Sequence, residues 1–320
     1  MSDILYEVKG ISYDYPESAK ASVYNCSFNL AKGEVVAICG ESGCGKSTLL
    51  KIMAGLFAPT SGQLWMNNKK LPNPEHMLIP GYDGVTLVHQ DFELFPRYTV
   101  AQNVAHSLRR LDPSVRDQRV AELLERARLS DLSDNIPLYL SGGEKQRLAI
   151  VKAVAESPTL LLLDEPFSQL DFPNKRTLKN LIEEINKQEE VTVLITSHDG
   201  SDILSISDRV IVMKDAQVVE QSFTTEVYFK PQTPYSAGLF GDYVWFSDHE
   251  RELYKLTTSV LRPNQIHLSE KGIVNVEVIN KHYFGSFWRI QGLDQDGKLW
   301  IFDDQEGSKA IGDKISLGVR

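Results

Sequence analysis

Up to about residue 215 the chain alternates short apolar runs with stretches of helical periodicity. Val35–Cys39, Thr86–His89, Leu160–Leu163, Thr192–Thr196 and Arg209–Met213 predict strands. Several are apolar throughout, as strands buried on both faces of a mostly parallel sheet are. Lys46–Leu56, Val115–Ala127, Glu144–Ala155 and Asn174–Lys187 predict the helices between them. This βα alternation predicts an α/β domain. Leu5–Val8 and Ile11–Tyr15 read as antiparallel edge strands leading in.

The pattern changes after Lys230-Pro231-Gln232-Thr233-Pro234, where two prolines break any regular element. Beyond about Ile266 the runs are short and β-like: Val274–Val278, Phe287–Ile290, Leu299–Phe302 and Lys314–Leu317, separated by glycines. Short strands with glycine turns predict a small barrel or sandwich. The expected organisation is an α/β domain over 1–235, a linker over 236–262 and a small all-β domain over 263–320.

Composition adds exclusions rather than chemistry. Of 320 residues, 42% are hydrophobic and 24% charged, which excludes a disordered or collagen-like chain. The net charge of −9 weighs against a dedicated nucleic-acid binder. No apolar run reaches the ~18 residues of a membrane span. The N-terminus has no basic stretch followed by an apolar one, so no secretory leader is expected. Cys26, Cys39 and Cys44 make no C-x-x-C pair and read as reduced thiols of a cytosolic protein.

The chemistry begins at Gly40-Glu41-Ser42-Gly43-Cys44-Gly45-Lys46-Ser47, with Thr48 following, which fits G-x-x-x-x-G-K-[ST] in full. It follows a predicted strand and opens a predicted helix. The glycines let backbone amides curl around phosphate oxygens, and the helix N-terminus adds a favourable dipole. Lys46 would pair with β- and γ-phosphates, and Ser47 would ligate Mg²⁺. Leu160–Leu163 ends in Asp164 and Glu165, at the strand end where open α/β sheets bind ligands. Asp164 is placed to hold Mg²⁺. Glu165 points the other way along the strand and would polarise an attacking water.

Leu140-Ser141-Gly142-Gly143-Glu144-Lys145-Gln146-Arg147 precedes that acidic strand. Ser-Gly-Gly at a helix start is a second anion-binding N-terminus. It is equally a serine N-cap with Glu144 at the third helical position, a capping box, and the two readings are compatible. Two phosphate-binding helix starts in one chain suggest a nucleotide sandwiched between two chains.

On these residues the chain resembles the ATP-binding subunits of ABC transporters over roughly residues 3–235. The fold this implies is a P-loop ABC cassette with a helical subdomain. By the resemblance Tyr15 stacks on adenine, and Gln90 reaches Mg²⁺ and signals to a membrane subunit. Asp171, in Ser168-Gln169-Leu170-Asp171, orders a dimer interface, and His198 contacts the γ-phosphate. Glu165 and His198 are the expected catalytic pair, with ATP and Mg²⁺ bound. Ser141, Gly142 and Gly143 would serve the site of a second copy, which implies a head-to-tail homodimer. Phe92, Leu94, Phe95 and Pro96 read as an exposed permease contact or as a local helical core. Gln169 departs from the family's small residue, and Ala216 and Gln221 stand where it usually has glycines.

Val260-Leu261-Arg262-Pro263 with the strands beyond resembles the OB-like TOBE domain of importer ATPases. Tyr283, Phe284, Phe287, Trp288 and Trp300 read as its core. The expected protein is therefore the peripheral ATPase of an importer on the cytoplasmic face of the inner membrane. Its expected partners are permease subunits and, through them, an extracytoplasmic solute-binding protein, with no nucleic acid. The alternative is an ABC-type ATPase acting on ribosomes or nucleic acid. Such proteins usually carry two cassettes or a coiled-coil insertion, and neither is visible here.

Overall fold

The computed structural model describes residues 3–16 and 22–319. They form two compact units, dividing between Ser222 and Phe223.

The first unit opens with β1 (Ile4–Tyr13), β2 (Val23–Ala31), β3 (Val35–Cys39), α1 (Lys46–Met53), β4 (Ser61–Met66) and β5 (Lys69–Lys70). It continues with β6 (Val85–Val88), α2 (Val100–Ser107), α3 (Pro113–Arg126), α4 (Gly142–Val154) and β7 (Leu160–Leu163). α5 (Phe172–Glu189), β8 (Thr192–Ser197), α6 (Gly200–Ile203), β9 (Arg209–Lys214) and β10 (Gln217–Phe223) complete it. The central sheet has the order β10-β9-β3-β8-β7-β6. From β9 to β6 every pairing is parallel. The carboxyl ends of β3, β6, β7 and β8 therefore share one edge, where ligands bind in such sheets.

The run Leu160–Leu163 explains why β7 is apolar at every position. Leu161 and Leu163 join the core beneath the helices α2–α5, with Val193 and Ile195 of β8. Leu160 and Leu162 join the opposite core, against α1 and the antiparallel strands, with Val36 and Ile38 of β3. Alternating side chains thus serve two cores, each fully buried leucine contributing about 1.5–3 kcal/mol of burial.

The leading strands differ from expectation. Leu5–Val8 and Ile11–Tyr15 do not form two edge strands. They make one strand, β1, interior to a sheet of order β2-β1-β4-β5. Its register shifts between Val8 and Ile11, around Gly10 at φ 61°, so the interruption is a bulge and not an end. Ala216 also replaces an expected glycine without loss of the turn. Asp215 and Ala216 both take positive φ between β9 and β10, as a two-residue hairpin turn requires.

The second unit holds α7 (Thr224–Phe229), α8 (Pro234–Gly238), β11 (Val244–Trp245), α9 (Asp248–Tyr254) and β12 (Val260–Leu261). Then come β13 (Ile266–Leu268), β14 (Val274–Tyr283), β15 (Trp288–Asp294), β16 (Leu299–Asp304) and β17 (Lys314–Val319). Its main sheet is antiparallel, of order β13-β17-β14-β15-β16, with β13 approaching β16 to nearly close a barrel. This fits an OB-like domain. The division falls before the expected 235. The stretch 236–262 is not a bare linker, since it contains α9 and the β11–β12 pair.

Arg262 explains how that stretch is held. It is buried, and its guanidinium donates to the carbonyls of Tyr228 (2.9 Å), Ala237 (3.0 Å) and Gly241 (3.2 Å). It thereby satisfies carbonyls at the ends of α7 and α8 that helices leave unpaired. Of the five expected core aromatics, Trp300 is fully buried, and its Nε1 donates to Asp294 Oδ2 at 3.0 Å. Trp288 packs against the core from its edge. Phe287 is half-buried, while Tyr283 and Phe284 are exposed, because the β14–β15 hairpin runs past the end of the barrel.

Candidate functional site

β3 is buried along its length and ends at Cys39, Gly40 follows it, and α1 begins at Lys46. Two contacts dictate glycine in the connection. A Cβ on Gly40 would lie 2.3 Å from the Met213 carbonyl oxygen, and one on Gly45 would lie 2.1 Å from that of Ser22. Gly45 also sits at φ 103°, where L side chains are strained. Lys46 is 5% exposed, its Nζ donating to the carbonyls of Gly40 (2.7 Å) and Glu41 (3.1 Å). The same Nζ lies 3.5 Å from Glu165 Oε1.

β7 and β8 run parallel with Leu163 beside Ile195, so the residues that follow each strand emerge together. Ser47 Oγ donates to Asp164 Oδ1 at 2.9 Å, and Thr196 Oγ1 donates to the same oxygen at 2.8 Å. Glu165 takes φ 51°, a left-handed conformation, and its carboxylate turns to the next strand end. His198 Nδ1 lies 2.6 Å from Glu165 Oε2. One carboxylate thus faces Lys46 with one oxygen and His198 with the other.

These groups surround a cleft of about 470 Å³. Of the residues proposed from sequence, Tyr15, Ser42, Gly43, Gly45, Lys46, Ser47, Thr48, Gln90, Glu165 and His198 line it. Tyr15 is partly exposed, with its hydroxyl 3.2 Å from Thr48 Oγ1 and its ring edge-on to Tyr13. Gly40, Glu41, Cys44 and Asp164 form the loop and the strand end around it. Ser22 and Ser168 also line the cleft and were not expected. Ser168 opens the Ser168–Asp171 stretch, whose expected part was Asp171, and Ser22 lies in no motif; the fold brings both there.

Ser141, Gly142, Gly143 and Asp171 do not line this cleft. Ser141 and Gly142 are exposed at the start of α4. The capping box forms: Glu144 N donates to Ser141 Oγ, and Ser141 N donates to Glu144 Oε2 at 2.7 Å. That backbone bond, with the serine hydroxyl, holds the Glu144 carboxyl below its ordinary range. Asp171 caps α5 in turn. Its Oδ1 accepts from Asn174 N (3.1 Å) and Asn174 Nδ2 (2.7 Å), while Asn174 Oδ1 accepts from Arg147 of α4 at 3.3 Å. Gly143 packs directly on Asn174. Asn174 therefore ties the two helix starts together, a link no motif announced.

A second groove, of about 640 Å³, adjoins the cleft and shares Gln90 and Ser168 with it. Phe92, Leu94 and Pro96 line this groove, and Phe92 and Leu94 also pack against the helical core. Phe92 and Leu94 thus serve the local core on one side and the groove on the other, and of the four residues Pro96 is exposed. Buried Asn103 fixes their loop, accepting from Phe95 N at 2.8 Å and donating to the carbonyls of Phe95, Tyr98 and Thr99.

The ABC transporter family model matches residues 23–168. The chain is 36% identical to the spermidine/putrescine import ATP-binding protein PotA of Thermotoga maritima, over 68% of this chain and 59% of that one. It is 38% identical to the methionine import ATP-binding protein MetN of Corynebacterium glutamicum, over 71% of this chain and 65% of that one. It thus spans less than two thirds of the length of these curated relatives. Among solved structures, it is similar to a dimer of the ATP-binding cassette MJ0796 in a post-hydrolysis state bound to ADP and Pi. The match has a TM-score of 0.61 and 30% identity, covering 69% of this chain and 99% of that one. CbiO1 of Clostridium perfringens, part of the ABC transporter complex cbiONQ, matches with a TM-score of 0.63 at 29% identity, covering 70% of this chain and 90% of that one. On these matches the chain belongs to the ABC transporter ATP-binding cassette family.

Proposed function

We propose that this chain is the ATP-hydrolysing subunit of an importer. One observation carries the reading. Lys46, Ser47, Glu165 and His198 converge on one cleft at the carboxyl edge of the sheet, while Ser141 and Gly142 stand exposed outside it, with Gly143 packed behind them. A cleft that lacks its second anion-binding helix start is completed by another copy of the chain. The working unit is then a two-fold homodimer, each copy giving Ser141 and Gly143 to the other's nucleotide.

In this reading the loop amides and Lys46 bind the β- and γ-phosphates, and Tyr15 supports the adenine. Among the described residues no group of three or more His, Cys, Asp and Glu could hold a metal alone. Ser47 and Asp164 instead offer a hydroxyl and a carboxylate 2.9 Å apart, a hard oxygen pair that suits Mg²⁺ shared with substrate phosphates. Bound there, Mg²⁺ would neutralise charge on the β- and γ-phosphates. Gln90 completes that side of the cleft. Glu165 takes the proton of the attacking water, with His198 orienting its carboxylate, and Asp171 orders the dimer face.

Import follows from the relatives' names, and permease subunits and a solute-binding protein are the partners that role needs. No helix among the described residues is long and apolar enough to cross a membrane, so permease subunits would supply the span. The chain would then work at the cytoplasmic face of the membrane. The test is hydrolysis of Mg-ATP by the purified chain, with Glu165→Gln trapping an ATP-bound dimer on size exclusion. No turnover together with no dimer overturns the reading.

A further inference from the structure

Thr196 lies at the junction of the two carboxylates, two residues before His198, and no role was expected of it. It is fully buried on β8, and its hydroxyl makes two well-formed bonds. Oγ1 accepts from the Glu165 amide at 2.9 Å and donates to Asp164 Oδ1 at 2.8 Å. A hydroxyl carries a single proton, which goes to the carboxylate at 2.8 Å in preference to the Leu163 carbonyl at 3.5 Å, while one of its lone pairs accepts from the amide. At Glu165 the chain leaves the sheet, and Thr196 supplies the partner its amide would otherwise lack. Glu165 also stands at φ 51°, a conformation that a residue with a Cβ keeps only when its surroundings hold it there.

Ser47 Oγ shares Asp164 Oδ1 with Thr196. In the proposed function Ser47 turns its oxygen to Mg²⁺, so Thr196 is the partner that stays with Asp164. We infer that Thr196 is a positioning residue: one hydroxyl orients the Asp164 carboxylate toward the metal position and locks the Glu165 backbone that aims its side chain at His198. This rests on the nucleotide reading of the cleft.

Thr196→Val keeps the shape and removes both bonds, whereas Thr196→Ser keeps the hydroxyl. The experiment measures MANT-ATP binding to the full chain with Mg²⁺ titrated in, beside the same binding in EDTA and the turnover of Mg-ATP. Loss of an outer-shell partner costs about 10–100-fold in metal affinity or activity. The expected result is a Mg²⁺ half-saturation raised by about that factor in Thr196→Val, with EDTA affinity unchanged and Thr196→Ser restoring the wild-type response. A wild-type Mg²⁺ response in Thr196→Val overturns the inference alone. So does an equal loss in EDTA, which marks a general packing defect. If the unmodified chain shows neither Mg²⁺-dependent binding nor turnover, the nucleotide reading falls and takes the inference with it.

Discussion

His198 Nδ1 sits 2.6 Å from Glu165 Oε2, while Lys46 Nζ approaches the other oxygen of that carboxylate at 3.5 Å. Glu165 is therefore held from both ends. Glu165→Gln keeps the shape but removes the basic oxygen. Turnover is expected to fall by about 10²–10⁴-fold, the usual worth of a general base, with ATP affinity retained. Steady-state hydrolysis beside equilibrium nucleotide binding checks both halves.

Lys46 is buried among carbonyls of its own loop, so its charge already has oxygen partners. Lys46→Ala removes the cation that faces the cleft. Nucleotide affinity is expected to drop by at least about tenfold, as loss of a charge-assisted bond worth ~1.5–3 kcal/mol implies. Affinity equal to the parent chain, measured by calorimetry, counts against the cradle.

Gly142 and Gly143 stand side by side yet predict opposite outcomes. A Cβ on Gly143 would lie 2.7 Å from Asn174 Oδ1 and 2.8 Å from its Cγ, whereas one on Gly142 meets nothing within 4 Å. Gly143→Ala must displace the side chain that ties α4 to Asp171, costing about 1–3 kcal/mol. Thermal melting is expected to show a clear loss for Gly143→Ala and none for Gly142→Ala.

The acid limb of stability has a local source in the second unit. Glu250 bonds first to Lys298 and then to Ser247, which holds its carboxyl down to about 2. A depressed folded value stabilises above the unfolded carboxyl range near ~4.3 and is lost as pH falls through the folded one. Glu250→Gln is expected to lower stability at neutral pH, where the ionised carboxylate contributes in full, and to flatten the fall between those two limits, so that the two chains converge at the acid end. Tryptophan fluorescence reads this unit, which carries Trp245, Trp288 and Trp300.

Burial pushes the Cys39 thiol up to about 12 and the Cys26 thiol up to about 11. Both side chains are fully enclosed, so little thiolate exists near neutral pH. Iodoacetamide at pH 8 should leave them unlabelled in the native chain and label them in denaturant. Rapid native labelling of either, seen by mass spectrometry, would show that this side of the phosphate loop opens.

Residues with chemistry of their own were legible along the chain. The phosphate loop, the leucine strand and its two carboxylates are contiguous, so spacing alone reveals them. β2 and β4 were not, because their alternation is broken by polar positions such as Asn25 and Gln63. α1 stops at Met53 rather than Leu56 because Gly55 turns to φ 74° beneath the Tyr82 ring, a contact no periodicity carries. Thr196 and Asn174 escaped for the same reason: in sequence they are a strand threonine and a helix asparagine. Their roles come from neighbours 32 and 27 residues away, Asp164 and Arg147.

Gln90 and Ser168 belong to two walls at once, those of the cleft and of the adjoining groove. Linkage follows from that geometry. Whatever fills the groove and shifts either side chain changes the affinity of the cleft, and occupancy of the cleft changes the groove's affinity by the same factor. The pair is a thermodynamic hinge whose coupling can be measured from either side.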